Sequence, residues 1–179
     1  MRKVILNVAV SLDGFIEGPN GEYDWCFADQ DYGMTDFLNR TDAIFLGRKS
    51  YEVLMSAGPG LFAALKMYVF SDTLTTVEGN SEIIRSADFK QRVDEIRHQP
   101  GSNIWLFGGA QLVSAFIELR QINEFMLSVH PVILGAGKPL FNVKARTELM
   151  FLGSEAFSTG LVQLKYAFKP EFDMSMIDF

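Results

Sequence analysis

Hydrophobic residues in this chain come in short, nearly solid runs, with polar or glycine-bearing segments between them. Val4–Val10 (V-I-L-N-V-A-V) is β-branched and almost wholly apolar, the pattern of a central strand buried on both faces. Ala43–Leu46 and Lys66–Phe70 repeat it in shorter form, and Ser81–Arg85 and Asn123–Val129 read as further strands. Ile104–Phe107 is another solid run; directly after it, Leu112, Val113, Phe116 and Ile117 recur at helical spacing. The same spacing predicts a helix over Asp29–Arg40, with Met34, Phe37 and Leu38 as its inner face. A second helix is predicted over Asp88–Arg97, begun by Ser86 or Asp88 and stopped by Pro100-Gly101. Near the end, Leu149–Ala156 and Leu161–Phe168 alternate around Ser158-Thr159-Gly160, which predicts an antiparallel hairpin.

Strands alternating with helices over the first two-thirds predict an α/β fold. Its three αβα layers enclose a mostly parallel sheet, and the closing hairpin adds antiparallel strands at one edge. The 179 residues fit one domain, 1–179, with a core over about residues 3–168; 48% hydrophobic content and 16 Phe fill its interior. No internal repeat or linker divides it. Residues 169–179 read as a loose tail whose Phe172, Met174, Met176, Ile177 and Phe179 could dock on a partner. Three loops stand out. Glu17–Asp24 carries Gly18-Pro19-Asn20-Gly21 and leads into Trp25 and Phe27; it is either a flap over a site or a solvent loop pinned by one aromatic. Gly58-Pro59-Gly60 is a second, and Pro131–Phe141 is an apolar stretch full of turn formers.

Charge narrows the function classes. A formal net charge of −6 argues against non-specific nucleic-acid binding, which relies on many Lys and Arg contacts. An anionic ligand must therefore be held by a local cluster. The single cysteine, Cys26, excludes an intrachain disulfide, and no Cys/His spacing suggests a metal. That usage suits a reducing, cytoplasmic setting. Met1-Arg2-Lys3 before an apolar run looks like the start of a signal peptide, but the run is short, contains Asn7 and lacks a cleavage site, so it reads as a first strand. No apolar run approaches the roughly 18 residues of a membrane span.

Two strand–glycine–helix junctions carry the candidate chemistry. The first follows Phe107: Gly108, Gly109, Ala110, Gln111. Consecutive residues without a β-carbon let the backbone approach another group closely, and a helix that starts there offers free N–H groups to a phosphate. A plain turn that needed glycine is the competing reading. The second follows Leu46: Gly47, Arg48, Lys49, Ser50. Cations near a helix start oppose the dipole and are easier to explain if an anion sits between them; a solvated basic pair is the alternative. Both junctions fall at the carboxyl ends of strands, where such sheets bind ligands. One extended phosphorylated ligand could touch both, which is the argument for a dinucleotide.

The order of V-A-V-S-L-D-G-F-I, D-A-I-F-L-G-R-K-S-Y-E, V-F-S-D-T-L, I-W-L-F-G-G-A-Q-L-V and P-V-I-L-G-A-G-K-P-L-F resembles the dihydrofolate-reductase-like superfamily. More narrowly, the chain resembles the reductase (C-terminal) domain of the bifunctional riboflavin-biosynthesis deaminase-reductase. The resemblance implies NADPH as cofactor and a hydride transfer of the 5-amino-6-(5-phosphoribosylamino)uracil reductase type. A dihydrofolate or pteridine reductase, or a catalytically inactive NADP(H)-binding module, is the alternative. By this match Gly108, Gly109, Ala110 and Gln111 meet the cofactor pyrophosphate through a Gly-Gly peptide that is typically cis in the family. Gly47 opens the second junction, where Arg48 and Lys49 lie near the 2′-phosphate and Ser50 on the pyrophosphate. Ser71 approaches the adenosine, and Ala9 and Ile16 flank the nicotinamide. A carboxylate with a pKa raised in an apolar pocket would supply the proton. The match points to Asp31, with Asp29 and Asp36 as rivals and a plain surface role for all three as the alternative. Asp24-Trp25 stands where dihydrofolate reductases usually have Pro-Trp, and no deaminase domain or zinc motif is present. The implied partners are a small heterocyclic substrate and, as in many members of the family, a second copy of the chain in a homodimer.

Overall fold

The computed structural model describes residues 1–58 and 60–170. Pro59 and the apolar tail residues Phe172, Met174, Met176, Ile177 and Phe179 lie outside them. The chain begins with β1 (Val4–Ser11) and a short β2 (Phe15–Glu17), followed by α1 (Met34–Asn39), β3 (Thr41–Gly47) and α2 (Arg48–Ala57). Next come β4 (Lys66–Phe70), β5 (Ser81–Ile84), α3 (Phe89–His98), β6 (Asn103–Gly108) and α4 (Ala110–Glu118). It closes with β7 (Glu124–His130), a two-residue β8 (Lys138–Pro139), β9 (Leu149–Ala156) and β10 (Val162–Phe168).

Eight strands form one sheet in the order β5-β4-β3-β6-β1-β7-β10-β9. The first six run parallel and the last two add antiparallel, as the hairpin pattern predicts. Period-two alternation sends successive residues to opposite faces. Val4, Leu6 and Val10 of β1 pack with α3 and α4 through Val93, Ile96, Val113 and Phe116. Ile5 turns to the other face, where α1 and α2 contribute Phe37, Tyr51 and Leu54. These are the three αβα layers that the pattern of strands and helices predicts.

Phenylalanine abundance becomes a packed cluster on one face. Phe116 meets Phe45, Phe70 and Phe89 at ring-centroid distances of 5.4, 5.8 and 5.1 Å. Fully burying a side chain such as Phe45 or Phe116 stabilises the fold by roughly 1.5–3 kcal/mol, and the half-buried Phe70 and Phe89 contribute less. At the amino-terminal end of the sheet the buried Arg2 and Arg97 act as polar clamps, donating to Ser102 O (2.8 Å) and Asn123 Oδ1 (3.0 Å).

The helix predicted over Asp29–Arg40 is shorter than its pattern, for it begins at Met34. Tyr32 and Gly33 take left-handed backbone angles, φ 49° and 77°. Tyr32 is drawn aside by its contacts: its ring packs edge-on against Phe157 at 5.0 Å and its hydroxyl donates to Asp29 Oδ1 at 2.6 Å. Within the turn-rich Pro131–Phe141 stretch the structure adds β8, which pairs antiparallel with β2.

Candidate functional site

The carboxyl ends of the parallel strands form a row: Phe70, Gly47, Gly108, Ser11 and His130, from β4 across to β7. Four inter-strand gaps of about 4.8 Å give roughly 19 Å, a span that suits an extended ligand. The row contains the place where the connections change direction. Helix α2 leaves β3 on one face of the sheet, and α4 leaves the adjacent β6 on the other. Such a reversal opens a crevice between two loops, where open α/β sheets bind their ligands.

Both glycine junctions sit in that crevice. Leu46 and Gly108 are register partners across β3 and β6. The Gly108–Gly109 peptide is cis, and Gly108 has φ 111°, a backbone that favours glycine. Gly47 and Gly109 differ, with φ −79° and −58°, angles open to any residue. A β-carbon on Gly47 would rest 3.8 Å from Gly108 O; one on Gly109 would rest 3.8 Å from Ser50 Oγ and 3.9 Å from Lys138 Nζ. Those are ordinary contacts, so the fold itself does not require glycine at either position. The missing side chains leave a cradle into which a phosphate can come close to the backbone.

The two helix starts are shaped for an anion. Neither Gly47 before α2 nor Gly109 before α4 is joined by a side-chain cap, and neither helix carries an acid in its first turn. Their first N–H groups and positive dipole ends therefore remain available to a negative ligand. Buried Ala110 and exposed Gln111 form the first turn of α4.

The remaining cofactor candidates spread along the row. Arg48 is committed to Glu52 one turn on, with Nη1 at 2.8 and 3.1 Å from the two carboxylate oxygens. Lys49 is exposed beside it. Ser71, just beyond β4, uses its hydroxyl as a turn cap, accepting the N–H groups of Thr73 (3.2 Å) and Leu74 (3.0 Å). Ala9 lies near the end of β1, opposite Ser128 of β7. Ile16 lies on β2 and packs against the α3–α4 core.

At the β7 end, buried His130 organises the Trp25–Phe27 segment. Its Nδ1–H donates to Ser128 O at 2.9 Å, so Nε2 is free to accept the Phe27 N–H at 3.0 Å. The rings of Trp25 and Phe27 meet the imidazole edge-on at 5.3 and 5.0 Å. Burial holds the His130 pKa below its ordinary value, favouring the neutral ring this bonding needs. Trp25 Nε1–H is buried and meets no acceptor among the described residues. Burial, then the nearby Asp24 charge, pushes the Cys26 thiol up to about 11, which favours the protonated thiol over the thiolate at neutral pH.

Asp31 does not have the environment of a proton donor. It is exposed, and its Oδ1 accepts the Thr35 hydroxyl (2.6 Å) and the Thr35 N–H (2.9 Å). Those bonds hold its pKa below the ordinary carboxylate value, the opposite of the expected rise. Asp29 and Asp36 are exposed as well. A cap for the short α1 is the role the geometry gives Asp31.

Sequence reasoning missed Lys138, whose ammonium reaches the Gly109 turn, and Glu52, the partner of Arg48. The i,i+4 spacing from Arg48 to Glu52 was the available signal for the second; nothing local announced the first. Among the described residues no group of three or more His, Cys, Asp or Glu could hold a metal, and no helix is long and apolar enough to cross a membrane.

Residues 2–163 match the family model of the RibD C-terminal domain. The chain is 44% identical over 178 residues to an uncharacterised protein of Bacillus subtilis, YyaP, covering 92% of this chain and 94% of that one. Its fold is similar to that of a Thermotoga maritima diaminohydroxyphosphoribosylaminopyrimidine deaminase/5-amino-6-(5-phosphoribosylamino)uracil reductase. That match has a TM-score of 0.73 at 14% identity, over 94% of this chain and 57% of the other. It is also similar to an Enterococcus faecalis dihydrofolate reductase solved with NADP(H), with a TM-score of 0.71 at 11% identity over 94% and 97% of the two chains.

Proposed function

The chain belongs to the RibD C-terminal domain family, and from that premise we propose that it is an NADPH-dependent reductase of a small heterocycle, of the 5-amino-6-(5-phosphoribosylamino)uracil reductase type. One observation carries the reading: two glycine-opened helix starts, uncapped and free of acids, meet in one crevice at the carboxyl ends of β3 and β6. One elongated anion fits both. The cradle at Gly47 and Gly109 fits the diphosphate of a dinucleotide.

NADPH, when bound, supplies the hydride. The protein's part is to hold and align. Gly108, Gly109 and the first N–H groups of Ala110 and Gln111 face the diphosphate, with Ser50 beside them. Arg48 and Lys49 serve the 2′-phosphate, which needs a positive partner and distinguishes NADPH from NADH. Binding then asks Arg48 to share or leave Glu52, an exposed exchange with a small cost. Ser71 lies toward the adenosine. Ala9 and Ile16 flank the nicotinamide between the glycine crevice and the His130 cluster, and Trp25 and Phe27 cover the end of the row where the acceptor ring belongs. A cytoplasmic setting and a homodimer complete the reading. The dimer would be built on β9, an edge strand that exposes Met150, Phe151 and Leu152.

A second reading is a module that binds NADP(H) without turnover. The exposed positions of Asp29, Asp31 and Asp36 favour it, because none offers a proton from an apolar pocket. One experiment separates the two: NADPH oxidation is followed with a panel of ribosylaminouracil phosphates, pterins and dihydrofolate. Turnover of an aminouracil supports the proposed activity and turnover of a pterin supports the pteridine alternative; cofactor binding with no turnover across the panel supports the module.

A further inference from the structure

The S-L-D-G turn that closes β1 and the G-A-G-K segment that leads into β8 are joined by one carboxylate. Asp13 accepts the Ser11 hydroxyl at 2.7 Å and the N–H groups of Leu134 and Gly135 at 3.1 and 2.8 Å. Those bonds hold its pKa low, so it stays an anion and keeps its grip on the loop. The chain then passes Gly137, where φ is 149° and a β-carbon would come within 2.2 Å of Glu17 O. Only glycine lets β8 press this closely on β2.

The consequence falls on the next residue. Lys138 is the register partner of Glu17, and its Nζ lies 3.1 Å from Glu17 Oε1. The same Nζ stands 3.9 Å from the point where a Gly109 β-carbon would be, and Ser50 Oγ stands 3.8 Å from that point. An ammonium, a hydroxyl and a side-chain-free backbone thus converge from β8, α2 and the start of α4. Arg48 points its charge along α2 to Glu52, whereas Lys138 brings a cation to the Gly109 cradle.

We propose that Lys138 is a ligand of the cofactor diphosphate, and that Glu17 is its counter-ion in the free protein, exchanged for phosphate on binding. This rests on the NADPH reading above. The Glu17 pair is about one-third exposed, with side-chain exposures of 34% for Lys138 and 37% for Glu17, so it holds the lysine in place without binding it strongly. A charge-assisted contact to phosphate in a cradle is worth roughly ten- to hundredfold in affinity.

The test titrates NADPH and NADH against wild type, Lys138→Gln, Lys138→Arg and Glu17→Gln, with a thermal melt of each. Lys138→Gln is expected to melt like wild type, to weaken both cofactors roughly ten- to hundredfold and by equal factors, and to flatten the salt dependence of binding. Lys138→Arg restores most of the affinity, and Glu17→Gln tightens binding. Wild type that binds while Lys138→Gln binds equally well overturns this inference alone. A loss confined to NADPH also overturns it, by moving Lys138 to the 2′-phosphate. Wild type that binds neither cofactor removes the NADPH reading and this inference together.

Discussion

Gly47 lies against Gly108: a β-carbon on the first would rest 3.8 Å from the carbonyl oxygen of the second. The ends of two adjacent strands are thereby brought together with their helices on opposite faces of the sheet. Since Gly47 has φ −79°, alanine suits its backbone. Gly47→Ala is therefore expected to leave the melting temperature within about 2 °C of wild type, as for a substitution of a few tenths of a kcal/mol. NADPH affinity is expected to fall roughly tenfold, about 1.4 kcal/mol. Titration and melting of the same sample check both, and unchanged affinity would remove the glycine from the site.

Arg48 and Glu52 form an exposed ion pair within one helix turn. Its loss costs stability only about 0.3–0.5 kcal/mol. Arg48→Ala should weaken NADPH by roughly ten- to hundredfold while leaving NADH nearly unchanged, because only NADPH carries the 2′-phosphate. Equal weakening of the two would contradict that placement.

His130 predicts a pH dependence whose sign follows from its lowered pKa. The unfolded chain takes up the proton near pH 6.5, before the folded protein does. Stability from neutral His130 is complete above that pH and is lost as pH falls below it. The ring's neighbours Trp25, Phe27 and Ser128 are uncharged, so nothing among them compensates a charged imidazole. Protonation also removes the acceptor for the Phe27 N–H and frees the segment that carries Trp25. Melting temperature and Trp fluorescence should drop together below pH 6.5 in wild type. The drop should be smaller in His130→Gln; an identical profile in that variant would clear His130 of the effect.

Phe151, 57% exposed on the edge strand β9, is the strongest apolar feature of the predicted dimer face. Phe151→Lys should shift the protein from dimer to monomer in light scattering at micromolar concentration, without lowering NADPH affinity. A wild type that is monomeric at every concentration would dismiss the dimer.

Much of this architecture was legible as pattern. The solid runs became the buried parallel strands, and the alternating pair became the edge hairpin, because period and burial decide strand identity where side chains fill a core. The two glycine junctions were legible for the same reason: each directly follows a buried strand. What failed to show depended on contacts distant in sequence. The helix start slipped from Asp29 to Met34 because Tyr32 prefers the ring of Phe157, 125 positions away, to a helical backbone. Asp31 is the local exception: it read as a candidate acid, and its bonds to Thr35, four positions on, hold the start of α1 instead. Lys138 was silent, since only the close approach of Gly137 to Glu17 carries it to Gly109. Short elements such as β2 and β8 bury too little to leave a periodic trace.

A direct titration of the wild-type protein tests whether the two glycine-opened helix starts hold one NADPH. Quenching of protein fluorescence by NADPH and by NADH, with stoichiometry from calorimetry, should give one site per chain. NADPH should bind at least tenfold tighter than NADH, a difference of about 1.4 kcal/mol or more. Saturation by neither cofactor, or a site that does not distinguish them, would contradict the account.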